Sequence, residues 1–204
     1  MIKEVELLKD YTDFVDSFYS QDEFIDPHIY NEDDKNNLLN EKRETRRSYV
    51  AISQNTIIGV FVLLVLPDEA YIEMLLGLSN NIKAYEELLD YIKNNYKGYK
   101  CDFVFNAKNT LLINELKRYN ALFESEQMKM IYNHNKLNIN FDEIKTLEEK
   151  YYDDYKDIHE KDTYWTAEKV IDAKDRFNVY VALNEDNVIG YIDVTNCFED
   201  NEPC

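Results

Sequence analysis

Glycine is nearly missing from this chain. Only Gly59, Gly77, Gly98 and Gly190 occur in 204 residues. A phosphate cradle of neighbouring glycines needs backbone that a ligand can approach without a Cβ in the way. Four scattered glycines exclude a P-loop and any other glycine cradle from these residues. Neither GxSxG nor HExxH is present. Cysteine is as sparse: Cys101, Cys197 and Cys204 are odd in number and form no CxxC or Cys/His cluster. Neither a disulfide framework nor a zinc site is indicated, no metal is expected, and the cytoplasm is the default compartment.

Positive charge is in short supply. Lys and Arg total 23 against 41 Asp and Glu, a formal net charge of −18. Nucleic acid is thereby excluded as a main partner, since phosphates need basic patches. An acidic balance mildly favours cationic small molecules. The one basic cluster, Lys42-Arg43 with Arg46-Arg47, alternates with Glu41 and Glu44 and reads as a helix face. The longest apolar run, Val60 to Leu66, is far short of the roughly 20 residues that cross a bilayer. The start, MIKEVELLKD, has no apolar signal segment. A soluble intracellular protein with no membrane partner is expected.

Apolar residues make up 45% of the chain, with 17 Tyr and 10 Phe, enough for a packed core. One segment occurs twice. YVAISQNTIIG, from Tyr49 to Gly59, returns without a gap as YVALNEDNVIG, from Tyr180 to Gly190, 131 positions later. A generic β-hairpin pattern would give such a match, but the elements around both copies follow the same order, which points to duplicated domains.

Around the first copy, Ile2 to Leu8 is strand-like. Phe14, Val15, Phe18 and Tyr19 give a helix one buried face behind Asp10. Asn31 to Ser48 reads as a second, polar helix. Tyr49 to Ser53 is a strand, Ile57 to Leu66 a strand buried on both faces, and Tyr71 to Gly77 a third. Ile82, Tyr85, Leu88, Leu89 and Ile92 predict a helix with Ser79 as cap and Gly98 as stop. Cys101 to Phe105 is a strand, Asn109 to Tyr119 a helix with Leu112, Ile113 and Leu116 inward, and Phe123 to Tyr132 a strand marked by Met128 and Met130. The domain expected over 1–132 is therefore α+β, a mixed sheet flanked by helices in three layers. Asn-rich 133–140 is a linker. From 141 the order restarts: a strand over Phe141–Leu147, helices over Glu148–Lys161 and Thr166–Asp175, and strands over Tyr180–Leu183 and Val188–Val194. A domain over 141–204 would match only the front of the first. The edge of its last strand, 188–194, would need covering by a dimer partner or by further residues.

This order resembles the GNAT superfamily of N-acetyltransferases. YVALNEDNVIGYIDV is similar to that family's second and third strands, and NAKNTLLINELKRYNALFESEQMKM (Asn106 to Met130) to its closing segment. The resemblance spans the chain as one whole unit and part of another, on motifs that are weak one by one. It implies an acyl-CoA N-acyltransferase fold and transfer of an acetyl group from acetyl-CoA to a primary amine of a small molecule. The alternative is a GNAT-derived binding or scaffolding module without catalysis.

The family's pyrophosphate loop, Gln/Arg-x-x-Gly-x-Gly/Ala, would fall on Asn80 with Lys83 and Tyr85 at the glycine positions. That is a departure, because side chains there occupy the space the phosphates need. The cofactor-binding residues implied are Leu75, Gly77, Asn80, Asn81, Lys83 and Asn109, with Gly77 where the fourth strand bulges and parts from the fifth. The catalytic residues implied are Glu73, as a base that takes a proton from the amine through water, and Tyr119, as the acid for the thiolate. The family's acid tyrosine would fall at Leu116 or Lys117, two or three residues away. Tyr71 shares the Glu73 face and is the substrate-binding residue implied in the first unit. In the second unit Tyr164 and Trp165 could stack on an amine, with Glu160 or Asp162 as its carboxylate. His159 reads as a wet helix face, and His28 and His134 as loop residues. The resemblance implies that a chain with this degenerate loop and a truncated second domain is inactive by itself.

Overall fold

In the computed structural model the described residues are 1–19, 21–24, 29, 32–124, 126, 143–161 and 163–195. They form two compact units, Met1–Met130 and Ile131–Cys204, each taken by itself.

Unit 1 runs β1 (Ile2–Val5), α1 (Thr12–Tyr19), α2 (Glu32–Asn40), β2 (Arg46–Ser53), β3 (Thr56–Leu66), β4 (Tyr71–Leu78), α3 (Ile82–Asn95), β5 (Lys100–Phe103) and α4 (Thr110–Arg118). The sheet is ordered β1-β2-β3-β4-β5, antiparallel except for β5, which runs parallel to β4. The α+β class with a mixed sheet and helices agrees with the sequence. The apolar run of β3 is buried on both sides. Val60, Val62 and Leu64 join Val15 and Phe18 of α1 and Leu38 and Leu39 of α2. Phe61, Leu63 and Val65 join Ala84, Tyr85, Leu88, Leu89 and Ile92 of α3 and Leu112 and Leu116 of α4. Each such side chain contributes about 1.5–3 kcal/mol on burial, which is why this strand holds the layers together.

Several sequence boundaries are corrected. The polar helix ends at Asn40, and Arg46 and Arg47 open β2 rather than line a helix. Pairing decides this: Arg46 and Arg47 lie opposite Leu64 and Leu63, so β2 continues as far as β3 offers a partner. Lys42 and Arg43 sit in the loop between, on Glu6 (2.7 Å) and Glu41 (2.9 Å). α3 is capped by Asn81, not Ser79, and Ile82 is exposed while Ala84 takes its inward place. The strand expected over 123–132 falls largely outside the described residues. The linker over 133–140, together with His28, His134, Asp162, Cys197 and Cys204, lies wholly outside them.

Unit 2 runs β6 (Ile144–Thr146), α5 (Tyr152–Ile158), α6 (Ala167–Asp172), β7 (Phe177–Asn184) and β8 (Asn187–Thr195), with its antiparallel sheet ordered β6-β7-β8. Both helices are shorter than the sequence suggested. Tyr151, Tyr155, Val170, Val179, Val181, Leu183 and Val188 form its core.

The two hairpins agree residue for residue. Ala51 pairs with Gly59 and Ile52 with Ile57, leaving Ile58 as a bulge. Ala182 pairs with Gly190 and Leu183 with Val188, leaving Ile189. Both turns place two consecutive non-glycine residues at positive φ: Gln54 (48°) and Asn55 (62°), then Glu185 (50°) and Asp186 (67°). Such turns match the twist of paired strands. The third strand is matched too. Ile2 lies opposite Ala51 and Ile144 opposite Ala182. The Ile52 N–H donates to the Met1 carbonyl (3.0 Å), and the Leu183 N–H to the Glu143 carbonyl (2.9 Å).

Candidate functional site

The notch at the end of β4 is where unit 1 departs from a regular sheet. β4 pairs with β5 only from Tyr71 to Met74, opposite Lys100 to Phe103. Beyond Met74 the register with β3 slips: Leu63 lies opposite Met74 but Val62 opposite Leu76, so Leu75 is a bulge. Bulges turn a strand and end its pairing. Leu75 to Leu78 therefore run on without β5, with Gly77 facing α3 beside Phe61. The bulge is at Leu75, two residues before the expected Gly77.

The notch is filled by the protein's own side chains. Tyr85 is fully buried, its ring against Phe61 (5.8 Å between centroids). Its hydroxyl donates to the Gly77 carbonyl (3.3 Å) and accepts from the Asn109 side-chain amide (3.0 Å). Asn109, itself buried, caps α4 by accepting from the Leu112 N–H (3.1 Å). Gly77, Tyr85 and Asn109 thus tie the end of β4 to α3 and α4. The Met74 thioether lies across Gly77 as well, where an added Cβ would meet it at 2.6 Å.

The start of α3 is equally occupied. The Ser79 hydroxyl accepts from the Asn81 N–H (2.9 Å), the Asn81 side chain from the Lys83 N–H (3.0 Å), and the Asn81 carbonyl from the Ala84 N–H (2.9 Å). Helix N-termini bind anions through such donors. Here three of them are already bonded within the chain. The Lys83 ammonium points at Glu87 (3.9 Å). A pyrophosphate seated here would have to displace these three bonds, and the buried Tyr85 side chain occupies the space beside Gly77.

Glu73 and Tyr71 meet on the opposite face. Glu73 is 1% exposed and lies beside Leu64 on the α1/α2 side. The Tyr71 hydroxyl approaches its carboxylate (3.4 Å) and donates to Asp102 (2.9 Å), the cross-strand neighbour of Glu73. Burial, with two carboxylates beside it, pushes the Tyr71 phenol far above its ordinary range. Lys100 pairs with Asp102 (3.2 Å). Tyr119 is not brought to this group. It ends α4 and donates to Asp90 (2.6 Å), and burial followed by that bond pushes it up to about 12. Asp90 lies eight residues along α3 from Ile82, about 12 Å from the helix start. An open cavity of about 860 Å³ beside Tyr119 is lined by the ends of α3 and α4 and by Cys101 and Phe103.

In unit 2, Tyr164 and Trp165 are half-buried side by side (5.3 Å). Their faces already carry cations: Lys169 lies 3.7 Å from the Tyr164 ring and Arg176 4.8 Å from Trp165. Glu160 is exposed and its N–H reaches the Tyr191 hydroxyl (3.3 Å). His159, expected on a wet face, is buried instead. Its Nε2 is 3.1 Å from Asp193 and its Nδ1 2.8 Å from the Glu160 carbonyl, and its ring stacks on Tyr191 (4.9 Å, 20°). Tyr155 donates to the other Asp193 oxygen (2.9 Å). No sequence signal announces this group, because Asp193 lies 34 residues from His159, on another element. Among the described residues no cluster could hold a metal, and no helix is long and apolar enough to cross a membrane.

No family model matches the chain, and no curated protein matches it. Two solved structures are similar in part: an aminoglycoside acetyltransferase from an uncultured soil metagenomic sample, in complex with trehalose and in complex with sisomicin. Each is 17% identical, with 67% of this chain and 96% of that one covered, at TM-scores of 0.40 and 0.38.

Proposed function

We propose that both units follow the plan of GNAT N-acetyltransferases, unit 2 being a second copy of the front of unit 1. The chain then serves transfer of an acetyl group from acetyl-CoA to a primary amine of a small molecule, with unit 1 as its non-catalytic domain. The shared register, bulge and turn of the two hairpins support the duplication. The single observation that carries the non-catalytic assignment is the Tyr85 hydroxyl between Gly77 and Asn109. A domain that closes its notch in this way supports or binds. No transfer step is assigned to it, nor to Glu73 and Tyr119 as base and acid.

Unit 2 has counterparts of β1, β2 and β3 among its described residues, and the acceptor wall is placed there. Glu160, Tyr164 and Trp165 form that wall. An incoming ammonium would replace Lys169 over Tyr164, where the ring quadrupole attracts a cation, with Glu160 as its carboxylate.

Two measurements on the full chain test this. Thermal unfolding with millimolar acetyl-CoA should not shift; stabilisation approaching roughly 2.7 kcal/mol, as at 100 times a dissociation constant, would overturn the non-catalytic assignment. Trp165 is the only tryptophan, so its fluorescence reports on the wall. Saturable change with small primary amines, weakened by Glu160→Gln, is expected. Silence across mono- and polyamines would remove the acceptor assignment.

A further inference from the structure

His159 stands directly before the acceptor wall of unit 2, buried, with oxygen against both of its ring nitrogens. It closes α5, its own N–H donating to the Tyr155 carbonyl (2.9 Å). Nδ1 lies 2.8 Å from the Glu160 carbonyl, and Nε2 lies 3.1 Å from an Asp193 carboxylate oxygen. Carbonyls and carboxylates only accept. A neutral imidazole has one N–H, so in either tautomer its other nitrogen would turn a lone pair on an oxygen. Both bonds are made only by the doubly protonated ring.

The groups packed around the ring come from three elements. From β8, Asp193 faces Nε2 and Tyr191 stacks on the ring (4.9 Å). From α5, Tyr155 meets it edge-on (5.1 Å) and donates to the second Asp193 oxygen (2.9 Å). From α6, Glu168 is held below the usual carboxylate range by its own backbone N–H and by Thr166, with smaller contributions from the charges of Lys156 and His159.

The same stack holds Glu160 through its main chain. The Glu160 carbonyl takes the Nδ1 proton of His159, and the Glu160 N–H reaches the Tyr191 hydroxyl (3.3 Å). Asp193 thus orients His159, and His159 with Tyr191 fixes the backbone that carries the Glu160 carboxylate.

We propose that His159 is a positioning residue for the acceptor site: its imidazolium, steered by Asp193, sets Glu160 in the wall, so an amine binds best while both ring nitrogens carry protons. This rests on the acceptor reading of unit 2. Loss of the proton between Nε2 and Asp193 turns lone pairs on each other, and the ring then keeps only one of its two bonds. Amine binding weakens as pH rises. Histidines change charge between about pH 5 and 8, where ordinary carboxylates and primary amines do not. A step in that range is a signature that packing alone would not give.

The test is a pH titration of the full chain. NMR follows the His159 ring nitrogens and the Glu160 amide, and Trp165 fluorescence follows the affinity for butylamine and putrescine. The Glu160 amide should shift with the same midpoint as the His159 ring. Affinity should fall about fivefold between about pH 5.5 and about pH 8.5, as for the loss of one hydrogen bond. His159→Gln should bind weakly and without the step, while His28→Gln and His134→Gln should keep it. Tyr191→Phe retains a ring to stack on and drops the hydroxyl, and should weaken binding about threefold with the step in place. A Glu160 amide that ignores the His159 titration overturns the proposal whether or not amines bind. Amine affinity that is level across the range, or a step that survives His159→Gln, overturns it as well. Coupled titration with silence toward both amines at every pH would instead remove the acceptor reading and leave His159 as the residue that sets Glu160.

Discussion

The Tyr85 hydroxyl lies 3.3 Å from the Gly77 carbonyl and 3.0 Å from the Asn109 amide, so one phenol satisfies a strand end and a helix cap at once. Tyr85→Phe would leave the buried Asn109 amide without this acceptor and should cost about 1–3 kcal/mol. Asn109→Ala should cost a similar amount, with the lost helix cap, about 1 kcal/mol, included. The double variant should cost less than the sum, since the two share a bond. Urea denaturation measures all three. Additive losses would show that the notch is not held as a unit.

Gly59 and Gly190 should answer the same substitution with opposite signs. Gly59→Ala drives a methyl to 2.8 Å from Ala84 and 2.9 Å from the Phe61 ring. A well-packed core resists this at about 1–3 kcal/mol. Gly190→Ala meets ordinary contact at 3.9 Å and should be neutral or stabilise by up to about 1 kcal/mol through the unfolded chain. Thermal melts of the two variants decide it.

Cys101 should be a slow thiol. Burial, and then Asp102 beside it, push it up to about 11, against about 8.5 in an unfolded chain. The folded state therefore holds the proton longer. Its contribution to stability is whole below about 8.5 and is lost as pH rises through about 11. Peptide-mapped alkylation at pH 8–9 should label Cys101 far more slowly in the folded chain than in denaturant. Equal rates would show an open thiol.

Asp193 accepts from Tyr155 with one oxygen and faces His159 with the other. Asp193→Asn should cost unit 2 about 1.5–3 kcal/mol, as a hydrogen bond to a charged group does. Trp165 fluorescence should report that loss as an earlier melt of unit 2. An unchanged Trp165 transition would mean that the group does not hold the Glu160 to Trp165 loop.

Much of the strand layout was legible because its signals are local. Ile57 to Leu66 reads as a strand buried on both faces, and the repeated hairpin announces itself by identity at Tyr, Val, Ala, Ile and Gly. Arg46 and Arg47 misled because charge in a row suits a helix face, while their strand state comes from β3, which is distant in sequence. Ser79 reads as the cap in the sequence because it precedes the periodic residues. In the folded chain its hydroxyl serves Asn81, and Asn81 caps. The obstruction at Lys83 and Tyr85 could be seen from side-chain size alone. The tie through Asn109 could not, since it joins elements 24 residues apart. His159 failed for the same reason.

The Gly77 carbonyl lies where β4 has run past its pairing with β5, and the Tyr85 hydroxyl donates to it. One buried oxygen therefore sets the spacing of β4, α3 and α4 together, so a change in any of the three elements reaches the other two through the Tyr85 phenol.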